Sequence, residues 1–266
     1  MSSVRPTTVA VAATAGLLMG GVAYAALYPS SQIFGPVLVA GNDPRELALT
    51  YDDGPNSAVT PKLLELLAAH GARATFFLIG RFVQRESALT REIATAGHLI
   101  GNHTMTHPRL AWQSALRIRH EIRETNSILE DVLGAPVRLF RPPHGARRPL
   151  VIQVARELGL STVQWNVTAA DWKPIDAGAI ARNVERGITR NQRRGRGSNL
   201  LFHDGSHHGL GADRLATIAA TASVLRSHIR DHFVTVDVWE KAPTGDDLDR
   251  FHSRRQRLSH VRRSPA

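Results

Sequence analysis

From residue 47 to residue 236 the chain alternates short apolar runs with longer amphipathic stretches. The runs at 47–51, 74–79, 98–101, 137–140, 162–165, 199–202 and 233–236 are rich in aliphatic and aromatic residues and read as strands. Helical stretches lie between them. The first is expected to have Thr60 as its N-cap and Pro61 in its first turn, with Leu63, Leu64, Leu66 and Leu67 as the apolar stripe and Gly71 just past its end. Others are expected at 87–96, closed by Gly97, and at 112–133, 150–158, 177–189 and 214–228. Strands alternating with helices of this length imply βαβ units and a parallel sheet. About seven units predict an α/β fold, a distorted (β/α) barrel of about seven strands, closed or incomplete. In such a barrel the chemistry belongs at the C-terminal ends of the strands.

The two ends of the chain have a different pattern. After Arg5 no charge occurs until beyond Gln32, and the centre of this run is apolar. It is long enough to cross a bilayer, which takes roughly 20 apolar residues. It also contains Ala23-Tyr24-Ala25, a small-x-small pattern suited to leader cleavage. Residues 1–29 are therefore expected to be a signal peptide or membrane anchor, which makes the protein secreted or held on the outer face of the cytoplasmic membrane. Residues 30–44, with Pro36, Gly41 and Pro44, are expected as a linker, and residues 45–242 as the catalytic domain. Residues 243–266 are expected to be a disordered basic tail.

Charge and cysteine content narrow the chemistry. The formal net charge is +10, which favours an anionic partner. Arginines cluster at 190–196 and 250–263, but no nucleic-acid motif accompanies them, so no specific nucleic-acid partner is expected. An anionic envelope polymer bound through the tail is the expected alternative. There are no cysteines, so any metal must be held by His and carboxylate.

Five polar clusters follow the apolar runs. Asp52-Asp53-Gly54-Pro55 puts two carboxylates at a strand end, so that one can bind a cation while the other remains a base. On its own the sequence is also that of a simple turn. His103-Thr104-Met105-Thr106-His107 spaces two imidazoles to share one metal ion. Two His and one Asp make a three-donor site with open positions for water and substrate. Arg141-Pro142-Pro143-His144-Gly145 fixes an irregular loop able to aim backbone N–H groups at a developing oxyanion. Asp171 stands beside Trp172, as an acid in an apolar wall. His203-Asp204-Gly205 ends an apolar strand with a His placed for acid–base work. All five fall at expected strand C-termini, where a barrel gathers them around one mouth.

In these motifs and their order the chain resembles the NodB-homology polysaccharide deacetylases, carbohydrate esterase family 4, over roughly 47–240. The resemblance implies Asp52 as catalytic base, with Asp53, His103 and His107 holding one divalent metal ion, commonly Zn2+, for which Co2+ can substitute. It implies that Arg141 steadies the base, that His203 is the general acid and that Asp171 orients and tunes His203. Leu201, Trp172 and Pro143 are expected to face the substrate, and the His144 N–H to face the oxyanion. Three positions depart from the family pattern: Tyr51 stands where Phe is common, His144 where Tyr is usual, and Thr168 where an Asp often precedes the Asp171 position.

The activity so implied is removal of N-acetyl groups from an N-acetylglucosamine-containing polysaccharide, peptidoglycan or chitin-like. Two other readings stay open. One is an O-acetyl esterase on xylan-type polymer, or a small-molecule amidase, using the same site. The other is a non-catalytic envelope glycan-binding protein.

Overall fold

In the computed structural model, residue 24 and residues 26–240 are described. The expected anchor up to residue 23 and the expected tail from 243 lie outside them. No described helix is long and apolar enough to cross a membrane.

The described residues form an all-parallel sheet. Its strands are β1 (Glu46–Gly54), β2 (Ala74–Leu78), β3 (Leu99–Asn102), β4 (Leu139–Phe140), β5 (Ser161–Thr162), β6 (Val167–Thr168) and β7 (Ser198–His203), with β8 (His232–Phe233) beside β1. The order is β5-β4-β3-β2-β1-β7-β6, so the sheet curls into a barrel left open between β5 and β6. Only residues 163–166 separate those two edges in sequence. Among the described residues, seven helices pack outside: α1 (Thr60–Ala69), α2 (Gly80–Arg85), α3 (Ser87–Thr95), α4 (Ala115–Leu133), α5 (Pro149–Glu157), α6 (Ala177–Gln192) and α7 (Leu215–Ser227).

The period-2 alternation of a strand sorts β1 into two roles. Leu47, Leu49 and Tyr51 join the core between sheet and helices, with Leu63, Leu67, Phe76, Val184 and Val224. Ala48 joins a separate interior cluster with Phe77, Leu139, Val163 and Val236. Thr50 and Asp52 continue that inward face toward the mouth. The floor is apolar, then, and the polar groups stand above it.

Several local expectations are corrected. Thr60 is not an N-cap; Val59 occupies that position without a side-chain bond. The Thr60 hydroxyl instead accepts from the Asn56 N–H and donates to Asp204 Oδ2. The long helix begins at Ala115, because Ser114 caps it by accepting from the Arg117 N–H; Trp112 lies in a preceding 3-10 turn. The stretch at 233–236 is largely not strand, since β8 ends at Phe233 and a 3-10 turn, Val236–Trp239, closes the barrel floor. Both α2 and β6 were missed, being too short to show a period.

Residues 30–44 are not a free linker. Leu38 bridges Val163 in parallel, and Val37 and Ser31 are buried. The fully buried Arg147 holds this stretch in place. Its Nη2 donates to the carbonyls of Tyr28, Pro29 and Ser31 at 3.1, 3.2 and 2.7 Å, and its Nη1 to that of Gly145 at 3.1 Å.

Candidate active site

The end of β1 delivers Asp52 and Asp53 to the mouth of the barrel. Both are buried. The Asp52 backbone is fixed by pairing on both sides, to Phe77 of β2 and His203 of β7. Asp52 Oδ1 accepts from Arg141 Nη1 at 2.8 Å, and the same nitrogen donates to Thr50 Oγ1 at 2.8 Å. The guanidinium lies over the Phe77 ring, 4.1 Å from its centroid. A fully buried charge is tolerated because it is paired, hydrogen-bonded and stacked.

Asp53 turns the chain at φ 70° and faces imidazoles. Its Oδ1 lies 3.6 Å from His103 Nε2 and 3.2 Å from His107 Nε2. His103 Nδ1 is 2.8 Å from the Arg141 carbonyl, an acceptor that assigns the proton to Nδ1 and leaves the Nε2 lone pair toward Asp53. Burial, reinforced by His103, pushes His107 down to about 2 despite the opposing Asp53, so its ring is neutral, the form that ligates metals. Burial would raise the Asp53 carboxyl, but His207, His107, His203 and His103 outweigh it and hold the group well below the usual carboxylate range. Asp53 Oδ1 and His107 Nδ1 are buried without a hydrogen-bond partner. An acceptor-only oxygen opposed to imidazole lone pairs is a donor set that fits a divalent cation.

The residue spacing did not anticipate His207. Among the described residues, the group of three metal-capable side chains whose donor atoms all lie within 4.8 Å of one another is Asp53, His107 and His207. His207 comes from the loop after β7, its Nδ1 3.7 Å from Asp53 Oδ2. A His-His pair just past the fifth motif was the available sign.

Across the mouth, His203 Nδ1 is 2.8 Å from Asp171 Oδ1, and its backbone N–H donates to Asp171 Oδ2 at 2.8 Å. Thr217 Oγ1 donates to the same oxygen at 2.9 Å. Burial alone would lower the His203 pKa; Asp171, helped by Asp53 and Asp52, overcomes it and raises the imidazole to about 9. Trp172, half exposed, stands edge-on to His203 at 5.4 Å. Leu201, two residues before His203 on β7, shares its inward face. In the third-motif loop, Gly145 and Ala146 donate their N–H groups to the Pro142 and Pro143 carbonyls. The intervening His144 sits at φ 56°, with its ring 4.6 Å from that of His107. Pro143 is buried beside it.

Among the described residues, the non-glycine positions with positive φ are Asp53, Thr104, His107, His144 and Ala170. Each lies at or just past the C-terminal end of a strand. Left-handed backbone at such residues costs of order 1–3 kcal/mol and persists where the surroundings over-determine it. Part of that determination comes from residues the sequence reading passed over. Glu121 of α4 is fully buried; its two oxygens accept from the Thr106 N–H at 2.8 Å and hydroxyl at 2.7 Å. Asn102 Oδ1 accepts from the Thr104 N–H at 2.9 Å, and its Nδ2 donates to the Ile122 carbonyl at 2.8 Å. Together they pin the loop between the two histidines. Burial pushes Asp204 up to about 7; it supports the end of β1 from below.

The polysaccharide deacetylase family matches residues 40–163. Over 158 residues the chain is 39% identical to a chitooligosaccharide deacetylase of Azorhizobium caulinodans, covering 59% of this chain and 72% of that one. The chain belongs to the polysaccharide deacetylase family. A further relative of the chain is the peptidoglycan-N-acetylglucosamine deacetylase PgdA of Listeria monocytogenes, 34% identical over 210 residues. That match takes in 79% of this chain, which spans only 42% of the length of the Listeria protein. Among solved structures, the Bc1960 peptidoglycan N-acetylglucosamine deacetylase superposes with a TM-score of 0.70 at 30% identity, covering 78% of this chain and 93% of that one. The curled parallel sheet is thus the fold of the family.

Proposed function

We propose that this protein is a metal-dependent hydrolase that removes N-acetyl groups from an N-acetylglucosamine-containing polysaccharide. The observation that carries the reading is a register. Asp52 and His203 are partnered positions on the adjacent parallel strands β1 and β7, so their side chains reach the same mouth from the same face. Arg141 holds one and Asp171 holds the other. A base and an acid are thereby set beside a cluster of metal-capable donors, the parts that amide hydrolysis needs.

Asp53, His103 and His107 would hold the divalent ion, Zn2+ or Co2+, whose chemistry is to polarise the acetamide carbonyl and acidify water. Asp52 takes the proton from the attacking water, oriented by Arg141 Nη1. The His144 N–H, outside the turn's own hydrogen bonds, faces the oxyanion. His203 gives its Nε2 proton to the departing amine, a poor leaving group unless protonated. Asp171 fixes the tautomer and orientation of His203. Trp172, Leu201 and Pro143 line the approach of the acetylated sugar. The named deacetylase relatives and the chain's net charge of +10 favour a cell-envelope glycan and an extracellular place of action, secreted or anchored.

The test is acetate release by the full chain, supplemented with zinc or cobalt, from peptidoglycan, chitin oligomers and acetylxylan. The expected result is release from the first two well above the third. Release from acetylxylan alone would make it an O-acetyl esterase. Glycan retention without acetate release from any polymer would make it a binding protein.

A further inference from the structure

The loop joining β7 to α7 brings a side chain into the mouth that the reaction outlined above does not use. His207 Nδ1 lies 3.7 Å from Asp53 Oδ2. With Asp53 and His107 it forms the closely drawn donor group of the site. Its ring is stacked on that of His107, with centroids 4.5 Å apart and planes at 18°, and the His208 ring lies 4.0 Å from it, tilted by 37°. His144 meets it edge-on at 5.6 Å. The backbone is tethered as well, since Arg81 Nη2 donates to the His207 carbonyl and the Arg214 Nε donates to that of Gly205 at 2.8 Å. Two tethers and a ring stack hold the imidazole over Asp53.

We infer that His207 is a fourth protein donor to the divalent cation in the resting enzyme, closing from the β7–α7 loop a position that water and substrate require. The inference rests on the proposed Asp53, His103 and His107 site. Catalytic zinc sites characteristically keep three protein donors and an open position, whereas four protein donors characterise closed, structural sites. His207 would therefore tighten cation binding at rest and must withdraw for the acetamide to reach the centre. The loop has the means to move. Glycines stand at 209 and 211; Gly211 is at φ +81°, and a Cβ added at either would meet nothing within 4 Å. The His207 side chain is 35% exposed, against 5% for His107, so it can leave toward solvent without opening the core.

The test uses the full chain loaded with Zn2+ or Co2+ and reads binding, not turnover. Zinc affinity is measured by chelator competition, and the visible absorption of the cobalt form reports coordination number. His207→Ala is expected to weaken zinc binding by about 10-fold or more, by the scale on which zinc sites respond to lost supporting groups. It should also change the energy and intensity of the cobalt absorption, because water takes the place of an imidazole nitrogen. His208→Ala, which removes the neighbouring ring alone, is expected to change neither. Unchanged affinity and spectrum in His207→Ala, with binding abolished in Asp53→Ala, would overturn the role of His207 and leave the three-donor site standing. Wild-type affinity in Asp53→Ala would overturn the three-donor site itself.

Discussion

Asp171 grips His203 twice, one carboxylate oxygen on the imidazole Nδ1 and the other on the backbone N–H, each at 2.8 Å. The ring cannot turn without breaking the first bond, and β7 cannot shift without breaking the second. The same carboxylate overcomes burial to raise the imidazole to about 9. His203 is then protonated at neutral pH and loses its proton as pH rises through about 9. Deacetylation is expected to fall on that alkaline limb. In Asp171→Asn the lowering effect of burial is no longer outweighed, so the limb should move down by more than one pH unit. Rate against pH, with an NMR titration of His203, checks this; an unmoved limb would show that another group sets it.

Asp52→Asn keeps the shape of the site and removes the proposed base. Turnover should fall by about 10²–10⁴-fold, the range expected for losing a positioned proton acceptor, while zinc affinity changes little because the Asp53 and His donors are untouched. Arg141, left without its carboxylate partner in a dry site, should also make the variant less stable. Comparison of kcat, bound zinc and the denaturation midpoint separates the three effects.

Glu121 bonds to the loop between the two proposed histidine ligands, holding the Thr106 N–H and hydroxyl. Glu121→Ala should loosen the 103–107 loop and weaken zinc binding by about 10–100-fold, as losing a ligand-supporting bond commonly does. Glu121→Gln, which keeps one acceptor, should fall between. Chelator competition gives the order of the three proteins.

How much of this was legible beforehand depends on where each residue's partner lies. The barrel could be read from its apolar runs, and the candidate set of Asp52, Asp53, His103, His107, Arg141, Asp171 and His203 from polar clusters that follow those runs in the order of the family's motifs. Glu121 could not, since a glutamate four residues after Arg117 on a charged helix looks like any solvated pair. Arg147 was equally silent: its partners are backbone carbonyls, which carry no sequence identity. His207 reaches Asp53 only through a loop that doubles back over His107, and no spacing encodes that return. Thr60 had the composition and position of a cap, but the buried Asp204 took its hydroxyl.

Gly205 illustrates how closely β1 and β7 approach at the mouth. A Cβ there would lie 2.1 Å from the Asp53 carbonyl oxygen, and neither strand has room to yield. Gly205→Ala is expected to cost about 3 kcal/mol, the upper part of the overpacking range, because the obstruction is backbone. That corresponds to a loss of about 6–12 °C in Tm for a domain of this size. Gly209→Ala, with open space around it, should melt like the parent; calorimetry of the pair decides.

The Arg147 cage bears on where the N-terminal segment can be removed. A chain starting at residue 26 retains the Tyr28, Pro29 and Ser31 carbonyls that receive the guanidinium. One starting at residue 33 strands a buried cation, and each unsatisfied buried donor costs about 1–3 kcal/mol. The shorter chain should unfold at distinctly lower denaturant, and equal midpoints would mean that water replaces the lost carbonyls.

The pairing of β1 with β7 also dictates an order of assembly. Strands β1, β2 and β3 are near neighbours in sequence and can associate early. The opposite edge of β1 waits for a partner about 150 residues further along, as in the Thr50 to Leu200 bond. Closing so long a loop is slow relative to local pairing. Until it happens, the longest strand of the sheet, buried at eight of its nine residues in the folded protein, has an open edge, the feature through which unfinished chains pair with one another and aggregate. The arrival of Ser198–His203 brings the proposed acid opposite the proposed base in the same event that covers this edge. Hydrolytic competence and protection from aggregation are thus acquired together, at one late step of folding.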